Sequence, residues 1–585
     1  MNIFRLIVIK ALIYFFYNEY RLFVRKIKYL IIFNKELSFF KYLQSKEKNY
    51  HILKDEIKKK ALEKNFIFWT KFIKKNEIFK SNSEDTILIT SLVSTKFYTI
   101  YNNIIGLYLS KKLKNDFVGL IKHDDFETEI FMRSFGIKKI HYINDGNFFS
   151  RFKYFLSSIN LIDKIHSTDD FLKLKYEGVF VGKIVYDHYI RFTGIASVEY
   201  IDPKFYYFLS KTLRIHHDYK KILKSNSFKN IIQAETQFIP SCIIFQNSLL
   251  NNSTVYSKLG GASNQISVRI YNDIKHVYKN RYRFSSKLFN LIYEKYKHLA
   301  LDSSKEIIKH RFLGTFGYEV DHDAEENSQH KIEHPSNLID EYAKIDICKK
   351  YGWDENKPIG VIFSIDLTDG IFTDSWRLFK DNLSWMRETL ESIKHIDHVN
   401  WLIKAHPNDI IKKVVTTTQI EVRKLSKDYN HIKEFPVEYS NNSLNKFITA
   451  AVTLNGSVGY EYPSLGVPTI ICGETIYSGK SFNYEPKTKN EYFELLKNLE
   501  KLEKPTNDQI DKARTFIYLY SVLGKVTVPI APGQKIGKES EIRFWKDFSI
   551  LIDNYDEKKD DFMRNFNIQL KKLDQHTINY NYLEK

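Results

Sequence analysis

The sequence predicts an α/β protein with two domains, each built on a parallel sheet that helices cover. The chain has 585 residues, which at about 150 residues per domain allows two large domains or several small ones. Two stretches, 85–143 and 358–455, alternate apolar β-branched runs with helical segments. Because this alternation is typical of βαβ units, it predicts parallel strands in both stretches.

Composition places the chain among folded proteins of a reducing compartment. Hydrophobic residues make up 43% and charged residues 27%, which argues against an intrinsically disordered chain. The three cysteines, Cys242, Cys348 and Cys472, are far apart and form no CxxC pair. We therefore expect a cytoplasmic protein without a disulfide framework or a zinc ribbon.

The net charge favours anionic partners. Lys and Arg number 89 against 70 Asp and Glu, which gives +19. Such a surface suits nucleic acid, anionic lipid headgroups or phosphorylated substrates. The chain is also rich in Lys, Asn, Ile, Phe and Tyr, a bias that an AT-rich genome can impose on any surface. We therefore do not expect a dedicated nucleic-acid partner.

Residues 1–80 are predicted to be a helical extension that mixes basic and aromatic residues. Its first 33 residues read MNIFRLIVIKALIYFFYNEYRLFVRKIKYLIIF, in which charges interrupt the apolar run too often for a membrane span. No small-residue cleavage site follows, so export is not expected either. Two alternatives remain for this helix. It lies in the headgroup layer at the inner face of the cytoplasmic membrane, or it packs on its own domain.

The first domain is predicted at 81–320. Its strands are DTILITSLVS (85–94), DFVGLI (116–121) and IKKIHYI (137–143), separated by helical segments. A polar stretch without periodicity follows this domain and predicts an interdomain linker at 321–340. His322, His330 and His334 lie there among carboxylates, but their spacing matches no known metal site, so a solvated linker is preferred and no metal is predicted.

The second domain is predicted at 341–535, followed by a charged helical tail at 536–585. Its best-marked strands are PIGVIFSI, VNWLIKA and AVTLN. Helices are predicted between these strands, at 374–395, about 411–428 and 443–450. Open parallel sheets of this type bind ligands outside the carboxyl ends of their strands.

One turn of this domain, NGSVGYEYPSLG from Asn455 onwards, has the features of an anion site. Gly456 lets the backbone approach a ligand, and the helix that follows offers free amide groups at its start. Ser457 supplies a hydroxyl as a cap or ligand contact. Glu461 lies one turn later on the same face, placed to accept hydrogen bonds from a ribose diol. The alternative is an ordinary Ser-capped turn with an exposed Glu.

A second motif, WLIKAHPND, supports the anion site. Lys404, His406 and Pro407 come at the carboxyl end of another predicted strand of the same domain. A Lys and a His at this edge would neutralise a leaving nucleotide, with His406 as hydrogen-bond donor or acid. The alternative for a His before a Pro at a strand end is an ordinary loop residue.

The order of these motifs resembles a known family. Across about 355–505, the run IKAHPND, then NGSVGYE, then LGVPTI resembles the capsule polysaccharide biosynthesis family, which includes β-Kdo glycosyltransferases. It is also similar to bacterial polysialyltransferase-type enzymes, in which a His-Pro motif precedes a Ser/Thr motif. The stretches 81–145 and GKIVYDHYIR resemble the amino-terminal half of the family more loosely.

The resemblance implies a GT-B fold, in which two Rossmann-like domains face each other across a cleft. The carboxyl-terminal domain would hold the nucleotide sugar without a metal or other cofactor, and the first domain would hold the acceptor. His406 and Pro407 match the His-Pro motif of the family. Asn455, Ser457 and Glu461 match its nucleotide-binding turn.

Glycosyl transfer also needs a carboxylate, either as base for the acceptor hydroxyl or as nucleophile. In the first domain Asp124 and Asp125 follow a predicted strand, and Asp187 lies in YDHYIR. In the second domain Asp366 follows the first strand, and family members share an acidic residue in this region. The alternative for each of them is a solvated surface position.

The resemblance thus implies a glycosyltransferase of bacterial surface polysaccharide synthesis. By the same resemblance its donor would be a nucleotide sugar, a CMP-linked acidic sugar, and its acceptor a glycan or glycolipid hydroxyl. Three alternatives stay open: a nucleotide-sugar epimerase, a polyol-phosphate transferase, and a non-catalytic scaffold of capsule assembly.

Overall fold

The structure, a computed structural model, contains two compact units. It describes residues 6–24, 56–78, 85–93, 95–123, 125–260, 264–278, 284–312, 339–372, 377–406, 408–411, 414–533 and 540–583. The first unit comprises Met1–Tyr189, Glu199–Val277 and Val526–Ile578. The second unit comprises Ile190–Val198, Tyr278–Lys525 and Asn579–Lys585.

Strands and helices alternate through most of the described chain. The strands are β1 Thr86–Ser91, β2 Asp116–Lys122, β3 Ile140–Ile143, β4 Asn230–Ile232, β5 Thr254–Leu259, β6 Gln265–Tyr271, β7 Ile359–Phe363, β8 Asn400–Lys404, β9 Ile432–Glu434, β10 Ala450–Thr453, β11 Thr469–Ile471 and β12 Val526–Thr527. The helices are α1 (6–24), α2 Glu56–Lys75, α3 Lys96–Leu113, α4 Phe126–Ser134, α5 Phe148–Ile162, α6 Thr168–Lys173, α7 Val181–Thr193, α8 Pro203–Lys224, α9 Ser241–Leu250, α10 Ser286–Lys295, α11 Lys297–Phe312, α12 Lys344–Tyr351, α13 Asn382–Ile393, α14 Asn408–Ile411, α15 Thr418–Leu425, α16 Val458–Glu461, α17 Lys489–Lys497, α18 Asn507–Tyr518, α19 Ser540–Asp553 and α20 Asp561–Lys572.

The first unit is built on a seven-stranded sheet in the order β12-β6-β5-β4-β1-β2-β3. The strands from β1 to β5 pair in parallel, whereas β6 and β12 are antiparallel additions at one edge. The parallel strands are joined through helices, because a parallel connection must cross back over the sheet. This unit is therefore Rossmann-like with an antiparallel edge.

The end of the chain completes the first unit. Val526 of β12 pairs with Ile266 of β6. Helix α19 then packs its aromatic side chains into the core, with Trp545 at 5.3 Å from Phe131 and Phe544 at 5.5 Å from Phe97, measured between ring centroids. Such aromatic contacts bury large apolar areas, so this tail is part of the core of the first unit.

The second unit is built on a five-stranded, fully parallel sheet in the order β11-β10-β7-β8-β9. Successive residues of β7 point to opposite faces, so Ile362 joins one buried cluster and Val361 and Phe363 join another. Both faces of the sheet are thus covered. This explains why β7 reads as a continuous apolar run instead of an alternating one.

Two further segments belong to the second unit. In the segment 190–198 the Ser197 hydroxyl donates to Asp381 Oδ2 at 2.6 Å, and Gly194 O accepts from Val415 N at 2.9 Å. Helices α10 and α11 contact α18, where Tyr293 Oη donates to Asp508 Oδ1 at 2.6 Å. Residues 284–312 therefore lie in this unit, whereas the sequence assigned them to 81–320. Likewise, residues 540–578 of the predicted tail lie in the first unit.

The predicted fold class is confirmed: the protein is α/β, with two Rossmann-like units and a helical amino-terminal part. Three predicted helix bounds are wrong. Residues 443–450 form one 3-10 turn, Leu444–Lys446, before Thr449 N donates to Ile359 O at the start of β10. Helix α15 begins at Thr418 because Thr417 caps it, and α13 begins at Asn382 because Asp381 caps it.

Residues 321–338 of the predicted linker, with His322, His330 and His334, lie outside the described residues. In the described parts of the chain, every helix is too short or too polar to cross a membrane.

Candidate functional site

The topology of the second unit brings three strand ends side by side. Phe363 at the end of β7 lies in register with Lys404 of β8 on one side and with Thr453 of β10 on the other. The segments that follow these strands carry Asp366, His406 and the Asn455–Glu461 turn. The predicted site residues of this domain therefore meet at one edge of one sheet.

The strand order reverses at this edge. From β7 the chain moves to β8 and β9 on one side of the sheet and then returns to β10 and β11 on the other. The loops after β7 and β10 consequently diverge and leave a crevice between them, which is where open α/β sheets bind their ligands. Asp366 and Ser457 lie on the two loops that border this crevice.

Two side chains hold the backbone of the predicted anion turn through hydrogen bonds. Gly456 N donates to Thr453 Oγ1 at 3.2 Å, and the buried Tyr477 hydroxyl donates to Gly456 O at 2.6 Å. A Cβ atom built on Gly459 would lie only 2.0 Å from Tyr477 Oη. A residue larger than glycine would therefore displace the tyrosine that holds the turn.

Ser457 opens a short helix. Helix α16 has one turn, Val458–Glu461, and continues as a 3-10 turn, Pro463–Leu465. The Ser457 side chain is exposed, and within the described part of the chain it makes no capping hydrogen bond. The predicted cap is therefore absent from this part of the structure, while its alternative, a contact with a ligand, stays a prediction.

Glu461 is anchored by an arginine that the sequence analysis did not identify. Arg311 of α11 donates to Glu461 Oε1 through Nε at 2.6 Å and lies 5.3 Å from the centre of the Tyr460 ring. The side chains of the pair are 19% and 14% exposed. Arg311 Nη2 also contacts Glu461 Oε1, at 2.5 Å, so the guanidinium group fixes the position of this carboxylate.

Lys404 and His406 are held at the end of β8. Lys404 Nζ donates to Asn441 Oδ1 at 2.7 Å and lies 5.3 Å from the centre of the Phe435 ring. His406 Nδ1 accepts from Asn408 N at 3.1 Å. A neutral imidazole whose Nδ1 is an acceptor carries its proton on Nε2, so His406 presents a hydrogen-bond donor there. Pro407 lies outside the described residues.

Asp366 is fixed by its neighbours. Its Oδ1 accepts from Thr368 N at 3.0 Å, and its Oδ2 accepts from Asn408 Nδ2 at 2.8 Å. Asn408 thus bridges the loop after β7 and the loop after β8 through its side chain and its backbone amide. This bridge sets the position of Asp366 relative to His406.

Asp409 is a further carboxyl group of the site that the sequence analysis missed. It is 1% exposed, and its Oδ2 accepts from Thr418 N at 3.1 Å. Burial, together with the charge of Asp366, raises its pKa to about 6. The residue stands in the quoted HPND motif, but nothing in the local pattern indicates that it is buried.

Of the predicted carboxylates of the first unit, Asp125 has a structural role there. Asp125 caps α4, accepting from Thr128 N at 3.2 Å, and it lines a cavity of about 50 Å³ with Lys96 and Trp545. Asp187 is buried on α7. Asp124 lies outside the described residues. No catalytic role is shown for any of the three.

Fold and site define a class: an α/β protein with two Rossmann-like units and a polar site at the carboxyl edge of the second sheet. No protein-family profile matches the chain, and no curated protein matches its sequence.

The chain is similar to several solved structures. KpsC of Thermosulfurimonas dismutans, described as a beta Kdo 2,7 transferase, is 14% identical with a TM-score of 0.29, covering 57% of this chain and 89% of that chain. The UDP-GlcNAc 2-epimerase of Neisseria meningitidis bound to UDP-GlcNAc is 13% identical with a TM-score of 0.21, covering 74% and 99%. A glycosyltransferase of Rickettsia africae is 12% identical with a TM-score of 0.23, covering 84% and 99%. These sequence identities and TM-scores are low, so the function of the chain has to be inferred from its own residues.

Proposed function

We propose that this protein is a glycosyltransferase that moves a sugar from a nucleotide-sugar donor to a hydroxyl group of a glycan or glycolipid. The donor nucleotide would lie at the carboxyl edge of the second sheet, and the first unit would hold the acceptor. The observation that carries the proposal is the arrangement of Asp366, His406 and Ser457 on three adjacent strand ends, beside the reversal of strand order. Nucleotides are ligands that parallel sheets commonly bind at such a reversal.

The site residues suit the parts of a nucleotide. The backbone amides of Ser457 and Val458 and the Ser457 hydroxyl would donate to a phosphate group, while the amides from Gly459 to Tyr462 donate within the turn. Glu461, oriented by Arg311, offers an acceptor to the ribose hydroxyls. Lys404 and the Nε2 proton of His406 would stabilise the charge that develops on the leaving phosphate. The proposed step therefore needs no metal ion or cofactor.

The transfer breaks one bond and forms one. The bond between the anomeric carbon and the phosphate oxygen of the donor breaks, and its electron pair leaves with the nucleotide. The anomeric carbon forms a bond to the acceptor oxygen, whose proton passes to a carboxylate. Asp366 is the carboxylate of the second unit that we propose for this role, and Asp124, Asp125 and Asp187 are those of the first unit.

The donor and the product follow from the resemblance of the motifs. The His-Pro and Gly-Ser-x-Gly-x-Glu motifs resemble the capsule polysaccharide biosynthesis family, so we propose a CMP-linked acidic sugar as donor and a bacterial surface polysaccharide as product. The enzyme would work at the cytoplasmic face of the membrane, where a glycolipid acceptor is accessible.

Nucleotide binding tests the proposal first. The purified full chain is heated with CMP, UDP, CDP or GDP, and one of them should raise the unfolding temperature. A ligand at 100 times its Kd stabilises the folded state by about 2.7 kcal/mol, which such a scan resolves. Failure of all four nucleotides to shift the transition would refute the nucleotide site.

Product analysis then separates the alternatives. A transferase forms product only with an acceptor, whereas an epimerase converts its donor without one. The variant His406→Ala should lose transfer, with His398→Ala, an exposed histidine of the same unit, as the matched control. A scaffold would keep its complementing activity in cells after His406→Ala, which would contradict a catalytic function.

A further inference from the structure

Within the part of the chain that the structure describes, one face of helix α1 contacts the first unit. Phe15 is buried, with its ring 4.8 Å from that of Phe155 in α5. The rings of Tyr14 and Tyr207 lie 5.5 Å apart, edge to face. The sequence left two alternatives for this helix, packing on its own domain or binding in the headgroup layer. The face with Tyr14 and Phe15 packs on its own domain.

An ion pair fixes the rotation of α1 about its axis. Glu19 Oε1 accepts from Arg151 Nε at 2.6 Å, and the side chains of this pair are largely buried. Because Glu19 is the acidic residue of the segment 6–24, the buried pair leaves the outer face without a carboxylate. The outer face is thus defined by the fold and is not free to turn inward.

The outer face is apolar and aromatic. Six large side chains recur there at helical spacing and are between 44% and 67% exposed: Ile9, Ile13, Phe16, Tyr17, Tyr20 and Phe23. Spacings of three and four residues put them on one stripe. The stripe continues onto α5, where Phe148 lies 6.3 Å from Phe16 and its neighbour Phe149 is exposed. A stripe of this kind marks a surface that binds a protein or a membrane.

Positive charges border the stripe. Lys10 and Arg21 are exposed on α1, beside the stripe. Aromatic side chains with a basic border are typical of helices that lie in the headgroup layer, where the rings reach the acyl boundary and the cations meet anionic lipids.

We infer that the outer face of α1 binds the surface of an anionic lipid bilayer, with the helix parallel to the membrane and the first unit held on it. Docking on the first unit and binding to lipid are then properties of two faces of one helix. The residues of this face would thus hold the enzyme at the membrane where the proposed function places it. Binding of the face to lipid does not depend on the nucleotide site.

Vesicle sedimentation tests the inference. The full chain is mixed with vesicles of phosphatidylcholine or of phosphatidylcholine with about 30% phosphatidylglycerol, then centrifuged. We expect sedimentation with the anionic vesicles, at least tenfold weaker affinity for the zwitterionic ones, and a loss on raising salt, because surface charges are screened. No sedimentation with anionic vesicles would overturn the inference.

Matched variants locate the surface. The triple variant I13Q/Y20Q/F23Q should lose at least tenfold in vesicle affinity and keep its unfolding temperature and its nucleotide response. The control V415Q/I420Q/V437Q removes three exposed apolar side chains of the second unit and should bind vesicles as the wild type does. Equal losses in both variants would overturn the inference. Two other results for the first variant would also overturn the inference, because they would show that a protein surface covers the outer face. These results are a lower unfolding temperature or a loss of self-association, each with unchanged vesicle binding.

Discussion

Replacing Gly459 by alanine is expected to disrupt the nucleotide turn through Tyr477. The new Cβ atom would lie 2.0 Å from Tyr477 Oη and 2.4 Å from its Cζ atom, whereas ordinary contacts begin at 3.4 Å. The ring must therefore move by about 1.4 Å, although it is 1% exposed and packs against Phe482 and Phe516. Such a shift takes the 2.6 Å hydrogen bond to Gly456 O out of range.

The expected cost has two parts. Overpacking of a buried site costs about 1–3 kcal/mol, and loss of the hydrogen bond costs about 1 kcal/mol more. The free energy of unfolding of Gly459→Ala in urea should thus fall by about 2–4 kcal/mol. Its thermal response to the bound nucleotide should be lost as well, since the amides of the turn move with Gly456.

Two companion variants sharpen this prediction. Tyr477→Phe removes only the hydroxyl group and should cost about 1 kcal/mol, and the double variant should cost less than the sum of the single ones, because the two residues share one contact. Gly352→Ala is the control: its φ is +66° and no atom lies within 4 Å of the new Cβ, so it should cost about 1 kcal/mol and leave nucleotide binding intact. A Gly459→Ala protein with unchanged stability and unchanged nucleotide response would refute the role of Tyr477.

Two further predictions concern buried charges of the second unit. Arg311→Met should lower the free energy of unfolding by about 2 kcal/mol, because it leaves the largely buried Glu461 carboxylate without its partner. The same variant should bind the nucleotide more weakly. Unchanged nucleotide affinity in a calorimetric titration would contradict the role of Arg311. Asp409 has a usual pKa of 3.8 and a folded pKa of about 6, raised by burial, so the folded state holds its proton more tightly than the unfolded state. The stability that this proton gives is fully present below pH 4 and is lost as the pH rises to about 6, a change of about 3 kcal/mol. In urea unfolding curves, Asp409→Asn should remove this part of the pH dependence. Asp397→Asn, an exposed control, should keep it. A wild-type pH profile in Asp409→Asn would refute the assignment of this pH dependence to Asp409.

The sequence predicts the sheet of the second unit well, because a buried parallel strand can be recognised from a short apolar run of sequence. β7, β8 and β10 are short apolar runs, and the polar residues that follow each run lie at the sheet edge by geometry. Asp366, His406 and Ser457 could therefore be placed together without knowledge of any long-range contact.

What the sequence did not indicate depends on contacts between distant residues. Arg311 meets Glu461 across 150 positions, and Tyr477 lies under Gly459 because a separate strand, β11, brings it there. The return of β12 to the first sheet likewise follows no local periodicity. Asp409 is adjacent to the predicted motif, yet only the packed structure shows that its carboxyl group is buried.

The central claim is that a nucleotide binds at the carboxyl edge of the second sheet, between the loops after β7 and β10. Hydrogen–deuterium exchange of the full chain, with and without the nucleotide that raises its unfolding temperature, tests this claim most directly. We predict that bound nucleotide slows exchange of the backbone amides at 455–461 and 404–409 and leaves β4 and β5 of the first unit unchanged. Slower exchange confined to the first unit, with no change at 455–461, would contradict the claim.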